Sequence, residues 1–411
     1  MTARVHHFPV GYGVRDGVLT VAGKRVDHWA AEIGETPFFL YDRSLIEQRV
    51  RETRAALPAD VCLHYAMKAN PMPAVVQLMA GLTDGLDVAS GGELTRALGL
   101  GLNPTTISFA GPGKRDAELA LAITSGATLN VESETEVERA GRIARSLGMK
   151  ANIAVRVNPA FEIRGAGMRM GGKPQPFGID EAHVPPVLAR LASDEFNFTG
   201  FHVYGGSQNL SADLVLESQG QTIDMILRLS AAAPRPPQHI NLGGGFGIPY
   251  FPGDTPLDIS RVGTGLDQHL VRARAALPGS TFILELGRYL VGEAGVYITR
   301  IIDRKISHGE TFLITDGGLH HQLAASGNFG QVIRRNYPVA VATNMVAGAD
   351  EMVTVVGCLC TPLDRLAEKI PLPVANSGDL ICVFQAGAYG LTASPTGFLS
   401  HPVASEHLVP R

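Results

Sequence analysis

Between residues 61 and 286, short apolar runs alternate with longer amphipathic stretches. The runs, 61–67, 85–89, 106–110, 127–131, 152–157, 198–203, 239–242 and 282–286, are brief and rich in β-branched residues. Such runs suit strands buried on both faces, since a strand with one wet face would alternate polar and apolar positions. The stretches 73–80, 92–98, 115–123 and 134–147 are amphipathic at helical spacing. Eight strands interleaved with helices predict the α/β class and an eight-stranded βα barrel.

After the barrel the texture changes. Segments 294–302, 311–315, 337–342, 351–356 and 380–384 read as strands separated by Gly, Pro and Asp turns, which predicts an all-β domain. Residues 17–26, ahead of the barrel, are also strand-like and are expected to join that domain. The expected division is a barrel over 36–285 and a β domain built from 1–35 and 286–411.

Composition narrows the partners. A formal charge of −4 over 411 residues gives no basic face for nucleic acid, so none is expected to bind. No apolar run reaches the roughly 18 residues of a membrane span, and the N-terminus lacks the basic-then-apolar order of a secretory signal. No membrane association and a cytoplasmic location are therefore expected. The four cysteines, Cys62, Cys358, Cys360 and Cys382, are too sparse for a disulfide framework and lack the spacing of a zinc site. Leu408-Val409-Pro410-Arg411 matches a thrombin recognition sequence and reads as a remnant foreign to the fold.

The candidate chemistry starts at Lys68, in Tyr65-Ala66-Met67-Lys68-Ala69-Asn70 at the end of the first run. An ammonium ending a buried strand must be paired, deprotonated or used covalently, and covalent use by lysine means imine formation. Barrel chemistry sits at the C-terminal strand ends. Lys68, Asp87, Arg156, His202, Gly243 to Gly245 and Glu285 all fall at or just beyond those ends. Any one alone reads as a turn or a salt bridge; six at one end of six strands read as a site. The run Gly243-Gly244-Gly245-Phe246-Gly247 is not a dinucleotide fingerprint, because Ile248-Pro249-Tyr250-Phe251-Pro252 follows where a helix would have to open. Glycines here let backbone N–H groups approach a phosphate.

Together with Glu285-Leu286-Gly287-Arg288 and Gly387-Ala388-Tyr389-Gly390, these motifs resemble the fold type III pyridoxal-phosphate decarboxylases, from about Pro37 to about Ser394. That family includes the diaminopimelate, ornithine and arginine decarboxylases and, more distantly, alanine racemase. The resemblance implies pyridoxal 5'-phosphate as cofactor, joined to Lys68. It implies that Arg288 pairs with the phosphate beside the glycine run, with hydroxyl bonds from Ser207 and Tyr389. His202-Val203-Tyr204-Gly205-Gly206-Ser207 is two residues longer than the usual His-x-Gly-Ser, and the other reading of Ser207 is a loop serine bonded to its own backbone.

Glu285 is implied as the acid that keeps the ring nitrogen protonated, which favours decarboxylation over racemisation. His202 is implied to stack on the ring. Asp87 is expected to orient His202 or Arg156, or else to share with Glu93 in capping the helix that follows.

Gly357-Cys358-Leu359-Cys360-Thr361-Pro362-Leu363-Asp364 resembles the family's Gly-x-x-Cys segment. Cys360 fits the position whose thiol reaches into the partner subunit's active site to return a proton to the product carbon. A homodimer with shared sites is implied; a buried, inert thiol is the alternative. Thr361 stands where diamino-acid enzymes carry an acid, and the loop 319–330 is neutral, so a cationic distal group would lack its partner. The combination resembles the branch acting on carrier-linked aminoacyl groups and the exosortase-associated decarboxylases. The expected substrate is thus an amino acid or aminoacyl group, with an acyl carrier protein as candidate partner, and a diamino acid is the alternative. Arg334-Arg335 reads either as a contact for that carrier or as a solvated charge pair. A non-catalytic pyridoxal-phosphate-binding protein is opposed by the presence of Cys360 and Tyr389.

Overall fold

All eight apolar runs of the first part become parallel strands of one closed sheet. In the computed structural model, which describes residues 9, 11–162, 168–169, 172–329 and 334–409, the order around the barrel is Val61–Ala66, Gly85–Val88, Ile107–Phe109, Thr128–Val131, Ala151–Asn158, Phe196–Val203, His239–Gly244 and Thr281–Leu286. Thr281–Leu286 then pairs with Val61–Ala66 and closes the ring. Outward-facing Leu63, Tyr65, Leu86 and Phe109 are fully buried, which is why the runs contain so few polar positions.

The helices form where local signals agree. Gly91–Leu98 starts at Ser90, whose side chain accepts from the Glu93 N–H, while Glu93 accepts from the Ala89 N–H. Glu93 therefore serves the helix start, and Asp87 takes no part in it. Glu134–Leu147 is opened by Ser133 and closed by Gly148 at φ 64, a conformation that favours glycine. Among the described residues no helix is long and apolar enough to cross a membrane.

The chain divides into two compact units, one of residues up to Arg49, Pro249–Thr255 and Arg288 onward, the other of Val50–Ile248 and Pro256–Gly287. The first is built on a largely antiparallel sheet in the order Val339–Val341, Leu380–Val383, Gly295–Ser307, Glu310–Thr315, Glu351–Val356 and Arg365–Leu372. Phe38–Asp42 pairs with Gly295–Ser307, so this apolar stretch belongs to the β unit and not to the barrel expected from residue 36. Its other edge takes Ser405–Val409 in parallel. Val409 is 2% exposed in a core with Leu19, Phe38, Leu40, Ile298 and Phe384. The thrombin-like reading of 408–411 is overturned for Leu408 and Val409, which are part of the fold; 410 and 411 lie outside the described residues. Val18–Val21 lies in a small sheet with Gly13–Arg15 and Lys24–Arg25, joined to this unit by the Leu19 N–H bond to the Ala342 carbonyl.

Candidate active site

Lys68 follows the first barrel strand in the short turn Met67–Ala69. Its Nζ lies 4.0 Å from Glu285 Oε1 and 5.4 Å from the centre of the Tyr204 ring. Glu285, at the end of the eighth strand, is buried, and its Oε2 is 2.9 Å from His202 Nε2. Burial alone would raise its pKa, but the His202 hydrogen bond and the positive charges of Lys68 and Arg156 hold the carboxyl well below its usual range. The same register that pairs the sixth strand with the fifth brings His202 level with Arg156.

Asp87, expected to orient His202 or Arg156, meets His64 instead: its Oδ2 is 3.2 Å from His64 Nδ1. Neither carboxylate oxygen has a hydrogen bond of good geometry. Burial and the negative charge of Glu285 raise its pKa. Arg156 is held by Glu132, Nη1 to Oε1 at 2.9 Å, with its guanidinium over the Phe177 ring. Glu132 also accepts from the N–H groups of Gly111 and Gly178. Sequence reasoning passed over Glu132 and His64. Yet Glu132 stands one residue beyond the run ending at Val131, the same signal that picked out Lys68.

The glycine run is required by backbone proximity. Gly243 and Gly245 adopt φ +70 and +79, and a Cβ on Gly244 would lie 2.0 Å from the Glu285 carbonyl oxygen. This run is laced to the loop after the sixth strand: Asn209 N–H donates to the Gly245 carbonyl and Gly247 N–H to that of Asn209. Gly205, Gly206, Gly244 and Gly245 line one small cavity with Gln219 and Thr222. No helix opens until Ile259–Ala276, as the sequence reading required. Ser207 lies in this lengthened loop, where Gly206–Ser207 pairs with Met168–Arg169.

In the β unit, Arg288 begins the short helix Arg288–Val291. It donates to Tyr250 Oη at 2.7 Å and its guanidinium lies 4.6 Å from the Tyr389 ring centre. Around Cys360 the organiser is Asp364, which accepts from Leu319 N–H and Leu359 N–H at 2.7 and 2.8 Å. Cys360 itself is exposed, while Cys358 is half-buried and burial pushes its thiol up to about 11. Arg334 is engaged by Glu368 and the Arg365 carbonyl, and Arg335 stacks 3.6 Å from the Phe251 ring centre. The loop 319–330 is described as far as 329; Gly330 lies outside the described residues.

Within the barrel unit, a buried carboxylate facing an amine and two interlaced glycine turns form a donor set that fits a phosphorylated pyridine aldehyde. Comparison with known proteins agrees. Residues 43–292 match the family described as pyridoxal-dependent decarboxylase, pyridoxal binding domain. The L-glutamyl-[BtrI acyl-carrier protein] decarboxylase of Niallia circulans is 39% identical over 91% of this chain and 89% of its own. The 2-[(L-alanin-3-ylcarbamoyl)methyl]-2-hydroxybutanedioate decarboxylase of Staphylococcus aureus is 31% identical over 89% of this chain and 92% of its own. The structure of Helicobacter pylori diaminopimelate decarboxylase complexed with L-lysine superposes with a TM-score of 0.83 at 28% identity, covering 93% of this chain and 94% of the other.

Proposed function

We propose, because this chain belongs to the pyridoxal-dependent decarboxylase family, that Lys68 holds its cofactor and that the amino-acid-type substrate it decarboxylates is an aminoacyl group presented by an acyl carrier protein. The observation that carries the assignment of Lys68 is its Nζ at 4.0 Å from the buried Glu285. When bound, pyridoxal phosphate supplies a sink for the electron pair left behind as carbon dioxide departs. The residues of the chain do the rest. Lys68 would supply the amine that holds the aldehyde, and Glu285, kept ionised by His202, would hold a proton on the heterocycle nitrogen. The interlaced glycine turns offer backbone N–H groups to the phosphate, with Arg288, Ser207 and Tyr389 as further donors. His202 would pack on the ring, and Asp87 and Arg156 would fix the charge around it.

Cys360 returns a proton to the product carbon in the partner subunit's site, which makes a homodimer the working unit. Its exposure in the single chain supports this role over that of an inert thiol. Two features support a carrier-linked substrate over a free diamino acid. Thr361 removes an acid that would pair a distal ammonium, and the 39% identical relative acts on a glutamyl carrier protein. Arg334 and Arg335 are engaged within their own unit and are left out of the carrier contact.

The test is incubation of the dimer with glutamyl-carrier protein, free glutamate and free diamino acids, following carbon dioxide release and product mass. Turnover of the carrier-linked substrate alone is the expected result. Turnover of a free diamino acid with the carrier form inert would refute the carrier reading.

A further inference from the structure

The interior of a βα barrel is ordinarily filled by layers of branched apolar side chains. Here its N-terminal half holds a chamber of about 190 Å³ in which His64, Asn130, His239 and Asn241 share the walls with Phe201 and Ile283, and Asp84 and Thr105 are among its lining. Asp84 and Thr105 are exposed, so the chamber meets solvent at the N-terminal strand ends, opposite the candidate site. His239 Nδ1 and Asn241 Nδ2 are buried without a protein partner. Polar atoms so placed call for water, and the chamber has room for several molecules.

His64 stands between this chamber and the site. Its side chain is 7% exposed, its ring lines the chamber, and its Nδ1 is 3.2 Å from Asp87. Gly85 leaves space for that ring, since a Cβ there would come within 2.5 Å of Nε2. Asp87 faces Glu285, His64 and His202; His64 in turn faces Asp84 and His239. A buried carboxylate next to a second one keeps its proton unless a donor or cation is supplied, and His64 is the group placed to supply it.

We propose that the chamber is a water-filled proton conduit from the N-terminal mouth of the barrel to Asp87, with His64 as the residue that hands the proton over. A proton taken up at one ring nitrogen from a hydronium in the chamber, which leaves as water, departs from Nδ1 to the Asp87 carboxylate across the 3.2 Å contact once the ring turns to bring that contact into line. The imidazole returns to neutral, Asp87 becomes a neutral acid, and the reverse step releases the proton to solvent. Charge beside Glu285 thus stays in equilibrium with solvent even while substrate covers the C-terminal face. The inference rests on Lys68 and Glu285 being the cofactor residues, and it makes His64 a positioning residue that acts through Asp87.

The experiment follows the visible absorbance of the pyridoxal-phosphate-loaded protein against pH in the parent, His64→Phe and His64→Ala. Phenylalanine removes the donor and closes the inner end of the chamber. Without that partner Asp87 keeps its proton, one negative charge is lost beside Glu285, and the absorbance transition moves to lower pH by about one unit. His64→Ala shifts likewise, and imidazole entering from the mouth restores the parental transition. An unshifted transition in both variants, or a shifted His64→Ala that imidazole leaves unchanged, overturns the conduit. Borohydride bleaching of the parent keeps the two readings apart. A parent that does not bleach refutes the cofactor lysine, whereas a parent that bleaches with variants of parental profile refutes the conduit alone.

Discussion

Replacing Glu285 by glutamine keeps the shape of the side chain and removes its charge, which isolates the contribution of that charge. Lys68 lies 4.0 Å away with its side chain 44% exposed. Unit charges at this distance interact by about 4 kcal/mol at an effective dielectric of 20, and exposure of the amine reduces this to about 1 kcal/mol. The hydrogen bond from His202, 2.9 Å and buried, is charge-assisted and contributes about 1.5–3 kcal/mol. A glutamine cannot hold a proton on the heterocycle nitrogen, so a charge-assisted bond of that same size is missing during decarboxylation. At about 1.36 kcal/mol per decade the rate falls by about 10- to 150-fold. Cofactor affinity, which the proposed function assigns to Lys68 and the phosphate donors, should fall less than about tenfold.

The assay for Glu285→Gln is single-turnover carbon dioxide release beside an equilibrium titration with pyridoxal phosphate. A variant turning over within threefold of the parent would refute the reasoning, as would equal losses of rate and affinity. The pH dependence has a definite sign. The folded pKa of Glu285 is depressed, so its stabilisation is complete above the ordinary carboxylate pKa of about 4.5 and disappears as pH falls through the lower folded value. The difference in melting temperature between parent and Glu285→Gln should therefore be constant above about pH 5.5 and shrink in stronger acid.

Lys68→Ala should abolish the visible absorbance that borohydride bleaches in the parent; persistent bleaching would locate the imine on another lysine. Cys360→Ala should slow product formation by about 10²-fold or more with cofactor affinity nearly unchanged, while Cys358→Ala, at a thiol held protonated by burial, leaves the rate near parental; the opposite ranking would exchange their roles. Gly244→Ala puts a methyl group 2.0 Å from the Glu285 carbonyl oxygen, forces the glycine turn to move and weakens pyridoxal-phosphate binding by about tenfold or more, which a fluorescence titration would detect. Val409→Asp places a charge in the β-unit core and should lower stability by about 3 kcal/mol; a denaturation midpoint equal to the parent's would return 408–409 to the status of an appendage.

The barrel was legible because its strands are buried on two faces, which leaves runs such as 61–67 and 282–286 with no competing reading. Phe38–Asp42 carries the same apolar signature, but its membership is decided by pairing with Gly295–Ser307 and Ser405–Val409, partners far away in sequence. Arg365–Leu372 groups its charged and apolar residues in pairs, with Pro371 near its end, and so lacks the alternation that marks a strand. In the candidate site, the strand-end rule picked out Lys68, His202 and Glu285, which the structure brings together, and Asp87, which meets His64. It did not give their partners, since the choice of Glu132 over Asp87 for Arg156 depends on register across the barrel. His64 was hidden by its position inside an apolar run. A histidine there is itself a signal, because an imidazole buried between hydrophobic neighbours has to answer to something polar on the inside of the sheet.

The threading of the β unit bears on how the chain is made. Phe38–Asp42 emerges early, yet its neighbours on both sides, Gly295–Ser307 and Ser405–Val409, are roughly 250 and 360 residues away. At roughly 5–20 residues per second of synthesis, that strand waits on the order of 10–50 s with both edges unpaired, and up to about 70 s before the second edge is covered. The intervening barrel can close upon itself in that interval. A nascent-chain chaperone that shields Phe38 to Tyr41 should therefore matter more to the yield of this protein than one acting after release, and slowing translation should make its aggregation worse.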